Sequence, residues 1–220
     1  TSMQYQAIVF DMDGVIFDTE RLAIEFWKEV AKKHNIPNVE HTCIQCLGTN
    51  RVRTREIFLE NYGADFPFDP YCAEVTELFN THYKGVPLPT KPGIRELLNY
   101  LQEQDIKVGL ASSTAQHLVR DEIGTAGLLP YFQTLVCGDM VEHSKPAPDI
   151  FLKACEILNA DPTKSIAIED SFNGIRSAHC AGMTPIMVPD QVQPTDEIRT
   201  LAFHVMPSLL DVLNWLKTLA

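Results

Sequence analysis

Two pairs of acidic residues stand directly after short apolar runs. Asp11 and Asp13 follow Ala-Ile-Val-Phe, and Glu169 and Asp170 follow Ser-Ile-Ala-Ile. Residues two apart in an extended strand point to the same side, so Asp11 and Asp13 can direct both carboxylates to one place. Gly14 then permits a sharp turn, although Asp-x-Asp-Gly alone is equally typical of a surface turn. Four acids at two strand ends would repel one another without a cation, and Mg²⁺ fits better than Zn²⁺ because no His or Cys adjoins them.

Hydroxyl groups and a lysine follow two other apolar runs. Ser112, Ser113 and Thr114 stand between an apolar run and a helical pattern, where hydroxyls and free backbone N–H groups could bind an anion. A plain helix N-cap explains them equally well. Lys145 lies between Ser144 and Pro146, in a segment that two prolines restrict. An exposed lysine is the default, but such rigid presentation makes Lys145 a candidate point charge for phosphate.

The segments between these residues predict the fold class. Apolar runs at 7–10, 107–111, 134–137, 165–168 and 185–188 alternate with helical patterns. This alternation predicts an α/β fold with a Rossmann-like core, a parallel sheet that carries helices on both faces. The site then lies at the carboxyl ends of the strands.

Residues 19–88 break the alternation with helical patterns alone, and a proline-rich linker closes them. We therefore predict a catalytic core of residues 1–18 and 89–220 and an inserted all-helical cap of residues 19–88. Both junctions follow the first strand, so the cap should overhang the site.

Composition excludes several classes of protein. Lys and Arg number 18 and Asp and Glu 29, so the net charge of −11 disfavours binding to nucleic acid or to anionic membranes. The sequence lacks an 18-residue apolar run and a leader pattern, so we expect a cytoplasmic protein, and we expect a monomer. Cys43 and Cys46 have zinc or redox spacing, but without a second pair we favour packing.

The motifs together resemble the haloacid dehalogenase-like hydrolase superfamily over essentially the whole chain. The resemblance is carried by Phe-Asp-Met-Asp-Gly-Val-Ile from residue 10 with Asp-Thr-Glu from residue 18, Leu-Ala-Ser-Ser from 110, Ser-Lys-Pro-Ala-Pro-Asp from 144, and Ile-Glu-Asp-Ser from 168 with Asn-Gly from 173. The helical insertion looks like the cap of the β-phosphoglucomutase-like branch.

The resemblance implies a role for each motif residue. Asp11 would be the nucleophile that forms an aspartyl-phosphate, and Asp13 the general acid and base. Mg²⁺ would be held by the Asp11 carboxylate, the Asp13 backbone carbonyl and Asp170, with Glu169 nearby. The phosphoryl oxygens would be bound by Ser112, the Ser113 N–H and Lys145.

Departures from the family pattern rank the possible activities. Mutases of this branch carry a cap His and a cap Lys where this chain has Ala23 and Leu47, the latter just before Gly48. Phosphonatases need a cap lysine, and none occurs between Lys33 and Lys84. Dehalogenases lack the second aspartate of the first motif, which Asp13 supplies. The leading prediction is a phosphatase of a small phosphorylated metabolite such as a sugar phosphate.

Two alternatives stay open, and the cap adds a substrate-binding prediction. The protein could be a sugar phosphate mutase, or from another class a catalytically inactive phosphate-binding or phospho-acceptor signalling protein. Arg51 and Arg55 are four apart, so one helix face could carry both. We predict that Gly48 and Arg51 help to bind the leaving group, with a solvated basic face as the alternative for Arg51.

Overall fold

A six-stranded parallel sheet forms the centre of the computed structural model, which describes residues 4–220. The strand order is β3-β2-β1-β4-β5-β6, so the first strand lies in the middle and the direction of winding reverses between β1 and β4. Ligands of such sheets bind at that reversal, outside the carboxyl ends of the strands. The strands are β1 Ala7–Phe10, β2 Lys107–Ser112, β3 Thr134–Cys137, β4 Ser165–Glu169, β5 Thr184–Met187 and β6 His204–Val205.

Helices cover both faces of this sheet, which confirms the predicted fold class. The inner strands are buried on both sides, so they are almost wholly apolar, as parallel strands usually are. The core helices are α5 Ile94–Glu103, α6 Gln116–Thr125, α7 Asp149–Leu158, α8 Phe172–Cys180, α9 Asp196–Leu201 and α10 Leu209–Leu219. The sequence patterns located five strands to within one residue at either end, but β6 is only two residues long and was missed.

Four further helices follow the first strand: α1 Glu20–Lys33, α2 Val39–Cys46, α3 Arg51–Tyr62 and α4 Phe68–His82. They share an aromatic core of their own. The ring of Trp27 lies 5.0 Å from that of Phe58 and 5.1 Å from that of Tyr71, and Phe58 lies 5.3 Å from Phe68. The Tyr71 hydroxyl donates to the Trp27 carbonyl at 2.6 Å, so the polar end of this ring is also satisfied.

The two connections to this helical insertion run side by side. The Asp18 N–H donates to the Pro89 carbonyl at 2.8 Å, and the Lys91 N–H donates to the Ile16 carbonyl at 2.7 Å. Both connections therefore leave the core beside the end of β1, and the insertion stands over that end of the sheet.

The predicted division into a core of 1–18 and 89–220 and a cap of 19–88 stays a prediction, and its first three residues lie outside the described part of the chain. Within residues 4–220 no helix is both long and apolar enough to cross a membrane.

Phe68→Ala tests the aromatic core of the insertion. Phe68 is fully buried, so its truncation should lower the free energy of unfolding by about 3–5 kcal/mol. Val52→Ala is the control, because Val52 is 67% exposed and its loss should cost within about 0.5 kcal/mol. Urea unfolding followed by circular dichroism measures both, and equal losses would contradict the packing described.

Candidate active site

Asp11 is the first residue after β1 and is nearly buried. Its N–H donates to the Ile168 carbonyl at 3.0 Å, which continues the pairing of β1 with β4 by one residue. The chain then turns at Gly14, whose φ of +82° lies in the region that favours glycine. A Cβ at Gly14 would collide with the Asp170 carboxylate. Glycine is therefore what lets the first acidic turn pack against the acid that follows β4.

Lys145 is completely buried and joins three strand ends. Its ammonium group donates to Asp11 Oδ1 at 3.0 Å, to Glu169 Oε2 at 2.6 Å and to the Ala111 carbonyl at 2.9 Å. These acceptors follow or end β1, β4 and β2 and use all three donors of the ammonium. The structure thus corrects the default of an exposed lysine, because the carboxylates compensate for the loss of water.

The positive charge of Lys145 is stabilised by the two carboxylates that it contacts. Burial alone would lower the pKa of Lys145, but the carboxylates of Asp11 and Glu169 outweigh burial and raise the pKa above its usual value. Lys145 therefore stays protonated at neutral pH. Its ammonium group contacts Asp11 directly and has no donor left for a further partner.

Three buried acids come together beside this lysine. Asp11, Glu169 and Asp170 each place a carboxylate oxygen within 4.8 Å of the others, which fits a divalent cation. Burial raises the pKa of Asp170 well above its usual value, and the charges of Asp11 and Glu169 raise it further. Bringing a hard cation to these oxygens would relieve that repulsion, and the donor set is of the kind that Mg²⁺ prefers. Asp170 differs from the other two, because Asp11 and Glu169 each already give one oxygen to Lys145.

Asp13 has a different environment from Asp11. Its Oδ2 accepts a hydrogen bond from the Thr114 hydroxyl at 3.0 Å. Burial, with the charge of Asp11 as the second cause, raises the pKa of Asp13 to about 6. A carboxyl group that titrates close to neutrality suits proton transfer. Thr114 was not singled out from the sequence, although it belongs to the hydroxyl run that was.

The two serines before Thr114 contact different parts of the protein. Ser112 is completely buried, and its hydroxyl accepts from the Thr114 N–H at 3.2 Å. The Ser113 hydroxyl donates to the Gly48 carbonyl of the insertion at 2.8 Å. Ser112 therefore shapes its own loop, whereas Ser113 joins core and insertion.

A cavity of about 240 Å³ lies between the strand ends and the insertion. Its core side is formed by Asp11, Asp13, Asp170, Ser113 and Thr114. The insertion side is largely apolar, with one acid, and includes Glu20, Ala23, Ile24, Trp27, Leu47 and Phe58. Sequence reasoning quoted Glu20 in the first motif without giving it a role. Burial raises the pKa of Glu20 well above its usual value, and the charges of Asp13 and Asp11 add to this.

Cys43 and Cys46 also line this cavity. Burial raises the pKa of both thiols, that of Cys46 to about 12, so both stay protonated at neutral pH. Protonated thiols are poor nucleophiles and poor metal ligands, which agrees with the packing role favoured from the sequence.

The loop 47–50 of the insertion is held by the core. Besides the bond from Ser113 to the Gly48 carbonyl, the Asn50 N–H donates to the Ser144 hydroxyl at 3.2 Å, and the Asn173 amide donates to the Leu47 carbonyl at 3.4 Å. A Cβ on Gly48 would collide with the Ser171 hydroxyl. We call residues 47–50 the latch loop, because three of the core loops that carry site residues contact it.

The structure does not bring Arg51 to the cavity, which corrects its predicted contact with the leaving group. Arg51 begins α3, and its guanidinium lies 3.6 Å from Asp69 Oδ1 in the first turn of α4. The side chain is 64% exposed and stands over the outer side of Phe68. Arg55 lies 3.9 Å from the same carboxylate, so the two arginines share one surface acid.

Comparison with known proteins places this arrangement in a family. The family model described as haloacid dehalogenase-like hydrolase matches residues 8–188. A phosphorylated carbohydrates phosphatase of Thermotoga maritima is 33% identical over 181 residues, which cover 82% of this chain and 83% of that protein. A β-phosphoglucomutase of Bacillus subtilis is 34% identical over 199 residues, covering 86% and 85%. The crystal structure of a putative β-phosphoglucomutase from Thermotoga maritima superimposes with a TM-score of 0.75 at 29% identity and covers 98% of this chain and 100% of that one.

Gly48→Ala tests the latch loop. The new methyl group would collide with Ser171 and strain a residue whose φ is +81°, so the loop should leave the core. We expect faster hydrogen exchange in a peptide covering 47–54, because the Asn50 amide loses its acceptor.

The matched control is Gly85→Ala. Gly85 has a similar φ of +75° but open space around the added methyl group, so this variant should carry backbone strain alone. Unchanged exchange in peptide 47–54 of Gly48→Ala, or equal acceleration in both variants, would contradict the role given to Gly48.

Proposed function

The chain belongs to the haloacid dehalogenase-like hydrolase family, in its β-phosphoglucomutase-like branch, and we propose that it is a Mg²⁺-dependent phosphatase of a small phosphorylated metabolite such as a sugar phosphate. The proposal is carried by one observation: a nearly buried carboxylate, Asp11, is held by the buried Lys145 at the floor of a cavity that the insertion covers. A carboxylate that is held in one orientation and lines a cavity is placed to attack a phosphoryl group.

Asp11 attacks phosphorus and forms an aspartyl-phosphate as the ester oxygen leaves. An anion attacking a phosphate dianion meets repulsion, so positive charge around the transferring group must supply much of the catalysis. Lys145 provides one such charge, 3.0 Å from Asp11 Oδ1. It also fixes the orientation of the carboxylate, so the second oxygen of Asp11 is the one left to attack.

Asp13 moves the proton. In its protonated form it donates to the leaving oxygen, and as a carboxylate it then accepts a proton from the water that hydrolyses the aspartyl-phosphate. The hydrogen bond from Thr114 fixes the position of the Asp13 carboxyl group on the cavity wall. Its pKa of about 6 leaves both forms accessible near neutral pH.

Asp11, the Asp13 backbone carbonyl and Asp170 would hold Mg²⁺, with Glu169 beside them. When bound, the ion would neutralise charge on the phosphoryl oxygens. Ser112, Ser113 and Lys145 stay the proposed phosphoryl contacts, and the full engagement of Lys145 suggests that it acts mainly through Asp11. A cytoplasmic monomer stays part of the proposal, and the net charge of −11 disfavours binding to nucleic acid or to anionic membranes.

A mutase is the second candidate, since one relative is a β-phosphoglucomutase. A mutase must bind a bisphosphate and protect its aspartyl-phosphate from water. Ala23 and Leu47 line the cavity here, so these positions offer no charge to a second phosphate. This observation favours hydrolysis. A phospho-acceptor signalling role is disfavoured by the covered cavity, because a partner protein could not reach Asp11 beneath the insertion.

Asp11→Asn should abolish turnover of an aryl phosphate in the presence of Mg²⁺, by at least about 10³-fold in kcat. Asparagine keeps an oxygen that accepts from Lys145 but is not a nucleophile, so the circular dichroism spectrum should stay native. The control is Asp18→Asn, an exposed aspartate of the same segment, which should keep its activity. Near-normal turnover by Asp11→Asn would remove it as the nucleophile.

Hydrolysis and isomerisation are separated by incubating the enzyme with β-glucose 1-phosphate, Mg²⁺ and a trace of bisphosphate activator. Inorganic phosphate and glucose 6-phosphate are followed together. We expect phosphate release without glucose 6-phosphate, because the cavity lacks charge for the second phosphate. Rapid formation of glucose 6-phosphate with little phosphate would favour the mutase instead.

A further inference from the structure

The cavity lacks positive side chains. Of the residues that the structure describes, none that line it is a lysine, arginine or histidine. Lys145 lies behind Asp11 with its three donors engaged. A bound Mg²⁺ would neutralise charge on the phosphoryl group and on the acids beneath it. The part of the cavity that receives the leaving group therefore offers no charge to a second anion.

Three cations of the insertion and its linkers already have acidic partners. Lys91 lies 2.6 Å from Asp190 Oδ1, and Arg53 lies 2.8 Å from Glu60 Oε1. Arg51 faces Asp69 on the outer surface. An anionic leaving group could recruit one of them only by breaking an existing ion pair.

Glu20 is the acidic side chain that the insertion contributes to the cavity. It begins α1, directly after the connection from the core, and it lines the cavity together with Asp13 and Asp170. The ion pairs of residues 4–220 leave its carboxyl group without a cationic partner. A carboxyl group can accept a hydrogen bond from a hydroxyl whether it is protonated or ionised. Glu20 is thus suited to a hydroxyl group, and in its ionised form it repels a carboxylate or a second phosphate.

We infer that the leaving group is a small, neutral, hydroxylated alcohol, that anionic leaving groups are rejected, and that Glu20 is the residue that makes this distinction. The inference rests on the proposed phosphatase function and adds the selection rule of the same site. A volume of about 240 Å³ and apolar side chains such as Trp27 and Phe58 opposite the acids agree with a compact alcohol that has one apolar face.

A pair of three-carbon phosphates with the same skeleton isolates charge. Glycerol 3-phosphate has a neutral leaving group, and 3-phosphoglycerate has an anionic one. Each is measured as a competitor of aryl phosphate hydrolysis by the Mg²⁺-loaded enzyme, so competition reports binding even where turnover is slow. We expect glycerol 3-phosphate to compete at least about 10-fold more strongly, the effect of one charge left without a partner.

Glu20→Gln and Glu20→Ala test the residue. Glutamine removes the charge and keeps an acceptor, so it should improve competition by 3-phosphoglycerate while glycerol 3-phosphate changes little. Alanine should weaken glycerol 3-phosphate, so that the ratio of the two inhibition constants falls by at least about 10-fold. The control is Glu29→Ala, an exposed glutamate of the same helix, in which the ratio should not change.

Hydrolysis of the aryl phosphate distinguishes a failure of the proposed function from a failure of the inference. Without Mg²⁺-dependent hydrolysis of the aryl phosphate, the proposed function itself fails. With that hydrolysis intact, the inference is overturned if 3-phosphoglycerate competes as well as glycerol 3-phosphate in the wild type, or if neither competes. Because the wild-type comparison needs no variant, the test holds even if a Glu20 variant misfolds. If the ratio of the two inhibition constants is unchanged in both folded Glu20 variants, the site still rejects anionic leaving groups, but Glu20 is not the residue responsible.

Discussion

The buried ammonium of Lys145 is the contact on which the rest of the site depends. It binds Asp11 after β1, Glu169 at the end of β4 and the Ala111 carbonyl of β2, so one side chain ties three neighbouring strands at their carboxyl ends. Removing one partner of such a pair costs about 3–5 kcal/mol, since it leaves a buried charge uncompensated. The same contact holds Asp11, the proposed nucleophile, in one orientation. Stability and reactivity at this edge of the sheet therefore have a common origin.

A second constraint acts through the insertion. The paired connections fix it at one side of the cavity, and the latch loop fixes it at the other, where Ser113, Ser144 and Asn173 bind its backbone. Ser144 precedes Lys145, and Ser113 adjoins the hydroxyl run. A movement of the latch loop therefore acts on the segments that carry the proposed phosphoryl contacts. Substrate access and the arrangement of the site are therefore linked, because the core segments that hold the latch loop also carry site residues.

The sequence predicted the sheet, and the acids that follow its strands, because both depend on local signals. A strand buried on both faces must be apolar, and a strand end must turn, so five strands and the acids after them were visible. Long-range contacts were not. Nothing near Lys145 in sequence shows that Glu169 lies 2.6 Å away, so its burial could not be derived. The prediction for Arg51 also depended on a long-range contact. Helical spacing shows which residues share one face of a helix, but only the packing of α3 against α4 places Asp69 beside Arg51 on the outer surface. The contact of Thr114 with Asp13 and the place of Glu20 in the cavity were not predicted, because a threonine at a helix start and a glutamate in a first helical turn are common without any catalytic role.

The two aspartates of the first motif owe their different roles to their partners. Asp11 and Asp13 are chemically identical and stand two residues apart, yet Asp11 receives a cation, whereas Asp13 receives a neutral hydroxyl from Thr114. The ammonium of Lys145 holds the Asp11 carboxylate in one orientation, as suits the proposed nucleophile. A buried carboxyl group beside another anion holds its proton more tightly, as a general acid must, and its pKa rises to about 6. The charge on Asp11 is itself one cause of that rise. The proposed nucleophile therefore helps to give Asp13 the pKa of an acid. Because both carboxylates line the same cavity, one bound phosphate ester could meet the proposed nucleophile and the proposed acid at once.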